Sequence, residues 1–301
     1  MRKAVISLLL VSAVITGCGS AQDTSQSAAS PSAGGARQLT DAEQLRISDA
    51  QQELIGTCMR GQGFRFWEAE RLSLEESRTL GYVLDDVGWA RKHGYGSRID
   101  AKDTVARASN PNLAYRKSLS EQRRQAYDEA LDEGIHAPVI AVEIPGGGTL
   151  RKRIGGCVAE AERKLYGDPR AWFRAEKAAG HLRSLYVPKV LADQRFSAAQ
   201  SAWSQCMKRA GYDYKEPGAS RQSVVAQAHR TTEAKAFEAE QKLAVADANC
   251  ARDTDLRPIG EERERHYVAQ LRDRYGEALD TYTRLQHQAL GRAKKIVGPR
   301  A

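Results

Sequence analysis

The chain has 301 residues, 41% of them hydrophobic and 28% charged, with a formal net charge of +8 at pH 7 and a mean hydropathy of −0.56. That length suits one large or two ordinary domains, and that polarity excludes a body built from membrane spans. The positive excess reads either as a soluble surface or as an affinity for anionic partners.

The chain opens with Arg2 and Lys3, then an apolar run from Ala4 to Ile15, then Ile15-Thr16-Gly17-Cys18. The run suits a signal segment and is short for a span, which needs about 20 residues. Aliphatic, small, small, cysteine resembles the lipobox of bacterial lipoprotein precursors. The resemblance implies that residues 1–17 are removed and that the Cys18 thiol carries the lipid, with several buried acyl chains holding the protein on a membrane. Cleavage elsewhere in an ordinary secreted protein would leave Cys18 a spare thiol. The next stretch, to Thr40, is rich in Ser, Ala, Gly and Gln and almost free of large apolar residues. Residues 18–40 therefore read as a flexible tether. For such an exported, basic chain the expected partners are the membrane, through the lipid, and an anionic wall polymer or an envelope protein, rather than nucleic acid.

From Thr40 onward the chain reads mainly α. Thr40-Asp41 caps a helix to about Arg60, with Ile47, Ala50, Leu54 and Cys58 on one face. Ser73-Leu74-Glu75-Glu76 is a capping box opening a helix to about His93, ended by Gly94-Tyr95-Gly96. Ser120 opens another to Glu133, stopped by Gly134. Val139 to Ile144, a Pro-Gly-Gly-Gly turn and Thr149 to Ile154 predict a β-hairpin. A helix carrying Cys157 follows Gly155-Gly156. Tyr166-Gly167-Asp168-Pro169 stops it and starts the next, which Pro188 should kink or break. A helix with Phe196, Ala199, Trp203, Cys206 and Ala210 on one face leads to a loop at Glu216-Pro217-Gly218. Thr232 to Arg252 forms a helix whose face is Ala236, Ala239, Leu243, Ala246 and Cys250. After a break at Pro258, a last helix runs from Gly260 to Lys295. Its apolar residues step by three and four from Val268 to Ala289, which predicts packing within the chain ahead of dimerisation. The oligomeric state stays open.

Besides Cys18 there are four cysteines, Cys58, Cys157, Cys206 and Cys250, an even number suited to disulfides in an oxidising compartment. An internal repeat orders them. Cys58-Met59-Arg60-x-x-Gly63-Phe64-x-Phe66 matches Cys206-Met207-Lys208-x-x-Gly211-Tyr212-x-Tyr214. In each copy a helix ends at the glycine, which adopts the left-handed conformation cheaply, and the following aromatic packs back. The alternative is an aromatic binding platform. If the units are duplicated, each leading cysteine pairs with the next downstream, giving Cys58–Cys157 and Cys206–Cys250. The first unit, 41–192, then holds the hairpin as an insertion and its most specialised part. The second, 193–301, ends in the long helix.

No catalytic motif emerges: there is no G-x-S-x-G, no Walker loop and no H-E-x-x-H, and no close cysteine pair for zinc. No catalytic residue, metal or cofactor is assigned. Glu75-Glu76 and Asp85-Asp86 read as solvated. Arg151-Lys152-Arg153, and Arg292 with Lys294 and Lys295, are the densest basic patches.

The lipobox, the tether, the duplicated motif and Gly155-Gly156-Cys157 leading to Leu165-Tyr166-Gly167 together resemble lipoproteins of high-GC Gram-positive bacteria, from Met1 to about Asp255. The resemblance implies export and disulfides and transfers no active-site residue. The resulting expectation is a disulfide-stapled, mainly α protein of two divergent helical repeats, anchored on the extracytoplasmic face of the membrane. It would be a binding or structural component of the envelope, or alternatively a hydrolase or transferase without a recognisable motif.

Overall fold

The computed structural model describes residues 37–78, 80–133, 137–227 and 230–298. The leader, Cys18, most of the tether and the stop at Gly134 lie outside them. The fold is mainly α, with a two-stranded hairpin and two disulfides. Helix α1 (Asp41–Gly61) starts in a full capping box between Thr40 and Glu43. Residues just before it already belong to the body: Arg37 pairs with Glu43 at 2.6 Å and Leu39 is buried.

The helix expected from Ser73 to His93 does not form. The Ser73–Glu76 capping box is present, but it encloses a single turn at 74–77. Helix α2 (Val87–His93) waits for a new cap, Asp86, which accepts from the Trp89 N–H at 2.9 Å. Between them Val83 and Leu84 are both buried, in different apolar clusters. Neighbours sent to opposite sides require an extended chain. The four acids are also engaged: Asp86 pairs with Arg78, Asp85 with Arg257, Glu75 with Lys92 and Glu76 with Lys102.

Two helices, α3 (Ser97–Ala108) and α4 (Pro111–Ser118), fill a stretch where no element was expected. Helix α5 (Glu121–Asp128) continues as a π-helical turn to Glu133. Strands β1 (Val139–Glu143) and β2 (Thr149–Arg153) pair antiparallel, Val139 opposite Arg153. Ile140 and Val142 point inward and pack with Ile154, Ala159 and Phe173, as strand alternation requires.

Helix α6 (Gly156–Tyr166) stops at Gly167, and Asp168 caps α7 (Pro169–His181) by accepting from the Arg170 N–H. The break before α8 (Arg183–Ala192) falls at Leu182, and Pro188 rides inside α8. Packing sets that break. Phe173 of α7 faces the hairpin, whereas Leu182, Tyr186 and Val190, spaced by four, face a different and larger cluster. Helix α9 (Gln194–Arg209) buries Phe196, Ala199 and Trp203 as expected, but its last turn buries Met207, leaving Cys206 half-buried and Ala210 exposed. Pro217 opens α10 (Pro217–Gln227) instead of a loop, since the first helical turn needs no N–H from it. Helices α11 (Glu233–Asp253), α12 (Leu256–Gln270) and α13 (Arg272–Ile296) complete the body. Pro258 is likewise tolerated in the first turn of α12, and the expected single last helix is interrupted at Leu271.

The largest cluster joins α8, α9, α11 and α12. A second joins α1, α6 and the C-terminal half of α13, and a third surrounds Cys58–Cys157 with Phe64 and Tyr127. Contacts cross the 41–192 and 193–301 division both ways: α2 packs on α11, and α13 packs on α1, α6 and α7. The heptad-spaced face of the last helices is thereby filled within the chain, Leu285 and Ala289 being buried against α1 and α6.

Candidate functional site

The duplicated motif resolves into two copies of one helix end. The Phe64 N–H bonds the Met59 carbonyl at 3.0 Å, and the Gly63 N–H bonds the Arg60 carbonyl at 3.0 Å. In the second copy Tyr212 bonds Met207 at 2.9 Å and Gly211 bonds Lys208 at 3.1 Å. Both are Schellman ends, with the glycine at a φ of 76° in Gly63 and 91° in Gly211. Each methionine is fully buried beside its aromatic, and Arg60 and Lys208 project outward, where a base suits the helix C-terminus. The disulfides are Cys58–Cys157 and Cys206–Cys250, with Cα atoms 5.5 and 5.6 Å apart. The motif is scaffold. Phe64 meets Tyr127 edge to face at 5.4 Å, and Phe66, Tyr212 and Tyr214 pack on core clusters, so the rings form no open platform.

The basic patches are dispersed. On β2, Lys152 turns inward to the buried Glu162, and Arg153 bonds the Ala137 carbonyl. Arg292 bonds the Leu165 carbonyl at 2.8 Å and so caps α6. Lys294 and Lys295 stay exposed in the last turn of α13.

Two features escaped the sequence pattern. The first is a buried polar node on α11. Asp247, fully buried, accepts from Trp203 Nε1 at 2.9 Å, from the Tyr95 hydroxyl at 2.9 Å and from Ser220 Oγ at 3.3 Å. Burial pushes its carboxyl up to about 6, against the opposing pull of these donors and of the nearby Arg221 guanidinium. Burial also raises the Tyr95 phenol and lowers Arg221. Two turns earlier on the same face, Glu240 accepts from the Tyr95 and Ser97 N–H groups at 2.7 and 3.2 Å and from the Ser97 hydroxyl. Helix α3 has glycine at its own N-cap and no side-chain cap, so Glu240 caps it from across the fold. The signal was present: positions 240 and 247 fall in helical phase with Leu243, Ala244 and Ala251, all buried. The expected face was offset, since Ala239 is exposed.

The second feature is a cleft of about 550 Å³ between the hairpin tip, α8 and the junction of α12 with α13. That volume lies in the range of small-molecule sites. The hairpin supplies Glu143, Ile144, Gly146 and Gly147; α8 supplies Leu185 and Lys189, one turn apart; the junction supplies Leu271, Arg274 and Tyr275. The tip is seated closely: a side chain at Gly146, whose φ is 90°, would lie 2.7 Å from Ser184 Oγ on α8. Leu185, Leu271 and Tyr275 form a floor continuous with the largest core cluster. Lys189 and Arg274 are exposed and make no ion pair among the described residues, Arg274 lying over the Tyr275 ring at 5.3 Å, whereas Glu143 accepts from Thr149 Oγ1 at 2.6 Å. Neither Glu240 nor Asp247 lines the cleft. Among the described residues no group of His, Cys, Asp and Glu could hold a metal ion, and no helix is long and apolar enough to cross a membrane.

Comparison with models of known protein families, with curated proteins and with solved structures finds no match.

Proposed function

We propose that this chain is an extracytoplasmic lipoprotein, held to the membrane through Cys18, that binds a ligand in the cleft beneath the hairpin. The observation that carries the binding role is the cleft itself. It is walled by the insertion that distinguishes the first repeat, and its floor is the edge of a rigid, disulfide-stapled core. Rigid elements around a partly apolar concavity fit binding. Export and lipidation rest on the charged start, the apolar run and the Ile15-Thr16-Gly17-Cys18 sequence, and they agree with two disulfides, which persist in oxidising compartments. The tether gives the body reach away from the bilayer.

A photo-crosslinking residue in place of Glu143, on the cleft wall, tests the reading in intact cells. A discrete adduct in the membrane fraction is expected there and not with the same residue in place of Val225, an exposed position on α10. Indistinguishable adduct patterns at the two positions, or none at either, would remove the cleft as the binding seat.

A further inference from the structure

Several cations near the cleft are already matched. On α12, Arg257 pairs with Asp85 and Glu261, and Arg263 with Asp193 and Glu262; at the start of α13, Arg272 pairs with Asp280. Lys189 and Arg274 both line the opening, and neither pairs with a carboxylate among the described residues; Arg274 lies 5.3 Å from the centre of the Tyr275 ring. Glu143 supplies one negative charge to the wall, and its hydrogen bond is spent within the hairpin on Thr149. The opening therefore carries two cations from different helices against one engaged carboxylate.

We propose that the cleft takes an amphipathic anion: a phosphate, sulfonate or carboxylate head held between Lys189 and Arg274, on an apolar body lying over Ile144, Leu185 and Leu271. The proposal rests on the cleft being the binding seat and goes on to name the ligand's chemistry. Two exposed cations contribute little by charge alone, since solvent screens them. Affinity then needs apolar area as well, and the floor of leucine and isoleucine provides it. A bare inorganic anion would occupy a small part of about 550 Å³ and leave that floor wet. A ligand with no charge would leave the two cations without a counterion. The chemistry that uses every wall is a charged head joined to an apolar body, as in a short acyl phosphate ester.

The test uses residues 18–301 with Cys18→Ser, made without the leader, so that neither acyl chains nor an apolar leader call for detergent, and two fluorescent probes. Anilinonaphthalene sulfonate is an amphipathic anion; N-phenylnaphthylamine is its uncharged relative. The sulfonate should bind saturably and weaken about tenfold in the Lys189→Ala, Arg274→Ala double variant, while the uncharged probe is unaffected by it. Raising salt from about 50 to about 500 mM should weaken only the sulfonate. Dihexanoyl phosphatidate, below its micellar concentration, should displace the sulfonate at concentrations where inorganic phosphate does not. Leu185→Trp, which fills the floor, should abolish binding of both probes. If Leu185→Trp acts but the double variant binds the sulfonate as tightly as the parent, the cleft stands and the anion is wrong. If inorganic phosphate displaces as well as the phosphatidate, the amphipathic body is wrong. If Leu185→Trp changes neither probe, the cleft reading itself fails.

Discussion

Replacing Gly211 by alanine should destabilise the protein by about 1 kcal/mol through backbone conformation alone. No atom lies within 4 Å of the position a β-carbon would take at Gly211 or at Gly63, so neither change creates a clash. Both glycines have positive φ, 91° and 76°. Holding an L-residue in the left-handed region costs about 1 to 2 kcal/mol. Alanine also restricts the unfolded chain, which returns about 0.4 to 1 kcal/mol. The net loss is about 1 kcal/mol, or a fall of about 2 to 4 °C in Tm for a domain of this size. Urea denaturation of the oxidised protein measures it, with asparagine at the same position as control; asparagine tolerates this region and should lose less than alanine. Because the two helix ends share one geometry, Gly63→Ala should match Gly211→Ala closely. Alanine without cost at both sites, or a cost above about 3 kcal/mol at either, would refute the assignment of these glycines to conformation rather than space.

Removing the disulfides should rank by loop length. Cys58→Ala with Cys157→Ala opens a separation of 99 residues and Cys206→Ala with Cys250→Ala one of 44. Loop entropy predicts losses of about 4.7 and 4 kcal/mol, and denaturation midpoints unchanged by either pair would contradict it. Glu240→Ala leaves two part-buried backbone N–H groups and the Ser97 hydroxyl without their acceptor, a loss of about 2 kcal/mol. Hydrogen exchange should then quicken selectively across α3, and uniform exchange would argue against capping by Glu240. Asp247 gives stability an unusual slope with pH. Its folded value of about 6 lies above the ordinary value of 3.8, so between these the native state keeps a proton that the unfolded chain has released. Stability from this group is fully present below pH about 4, falls as pH rises to about 6, and is level above, a change on the order of 3 kcal/mol. Asp247→Asn should remove that slope; an identical slope in the variant would assign it elsewhere.

Much of the scaffold was legible because it is written in short-range chemistry. Thr40-Asp41, Asp168 before Pro169, and Gly63 and Gly211 after their helices are local signals, and each terminates or starts a helix where expected. The cysteine pairing followed from the repeat, since equivalent helix ends accept equivalent staples. The hairpin was legible from two short strand-like runs on either side of a Pro-Gly-Gly-Gly turn. What failed was decided by tertiary packing. Ser73 and Glu76 form their box, yet the burial of Val83 and Leu84 on opposite sides overrides the helix that should follow. Pro188 was read as the breaker, but the change of packing partner falls at Leu182. Glu240 and Asp247 were passed over because charged residues count against a buried face until their partners, Tyr95, Ser97 and Trp203, are known to converge there. The cleft was beyond reach of the pattern for the same reason: Ile144, Lys189 and Arg274 meet only in the folded chain.

The proposed function requires export to the outer face of a membrane. Mass spectrometry of the protein taken from its native membranes, digested without reductant, tests this most directly. The expected result is an N-terminal peptide that begins at Cys18 and carries acyl mass, with Cys58 linked to Cys157 and Cys206 to Cys250. A protein recovered from the cytosol with Met1 at its start, Cys18 unmodified and the other four thiols free would contradict it.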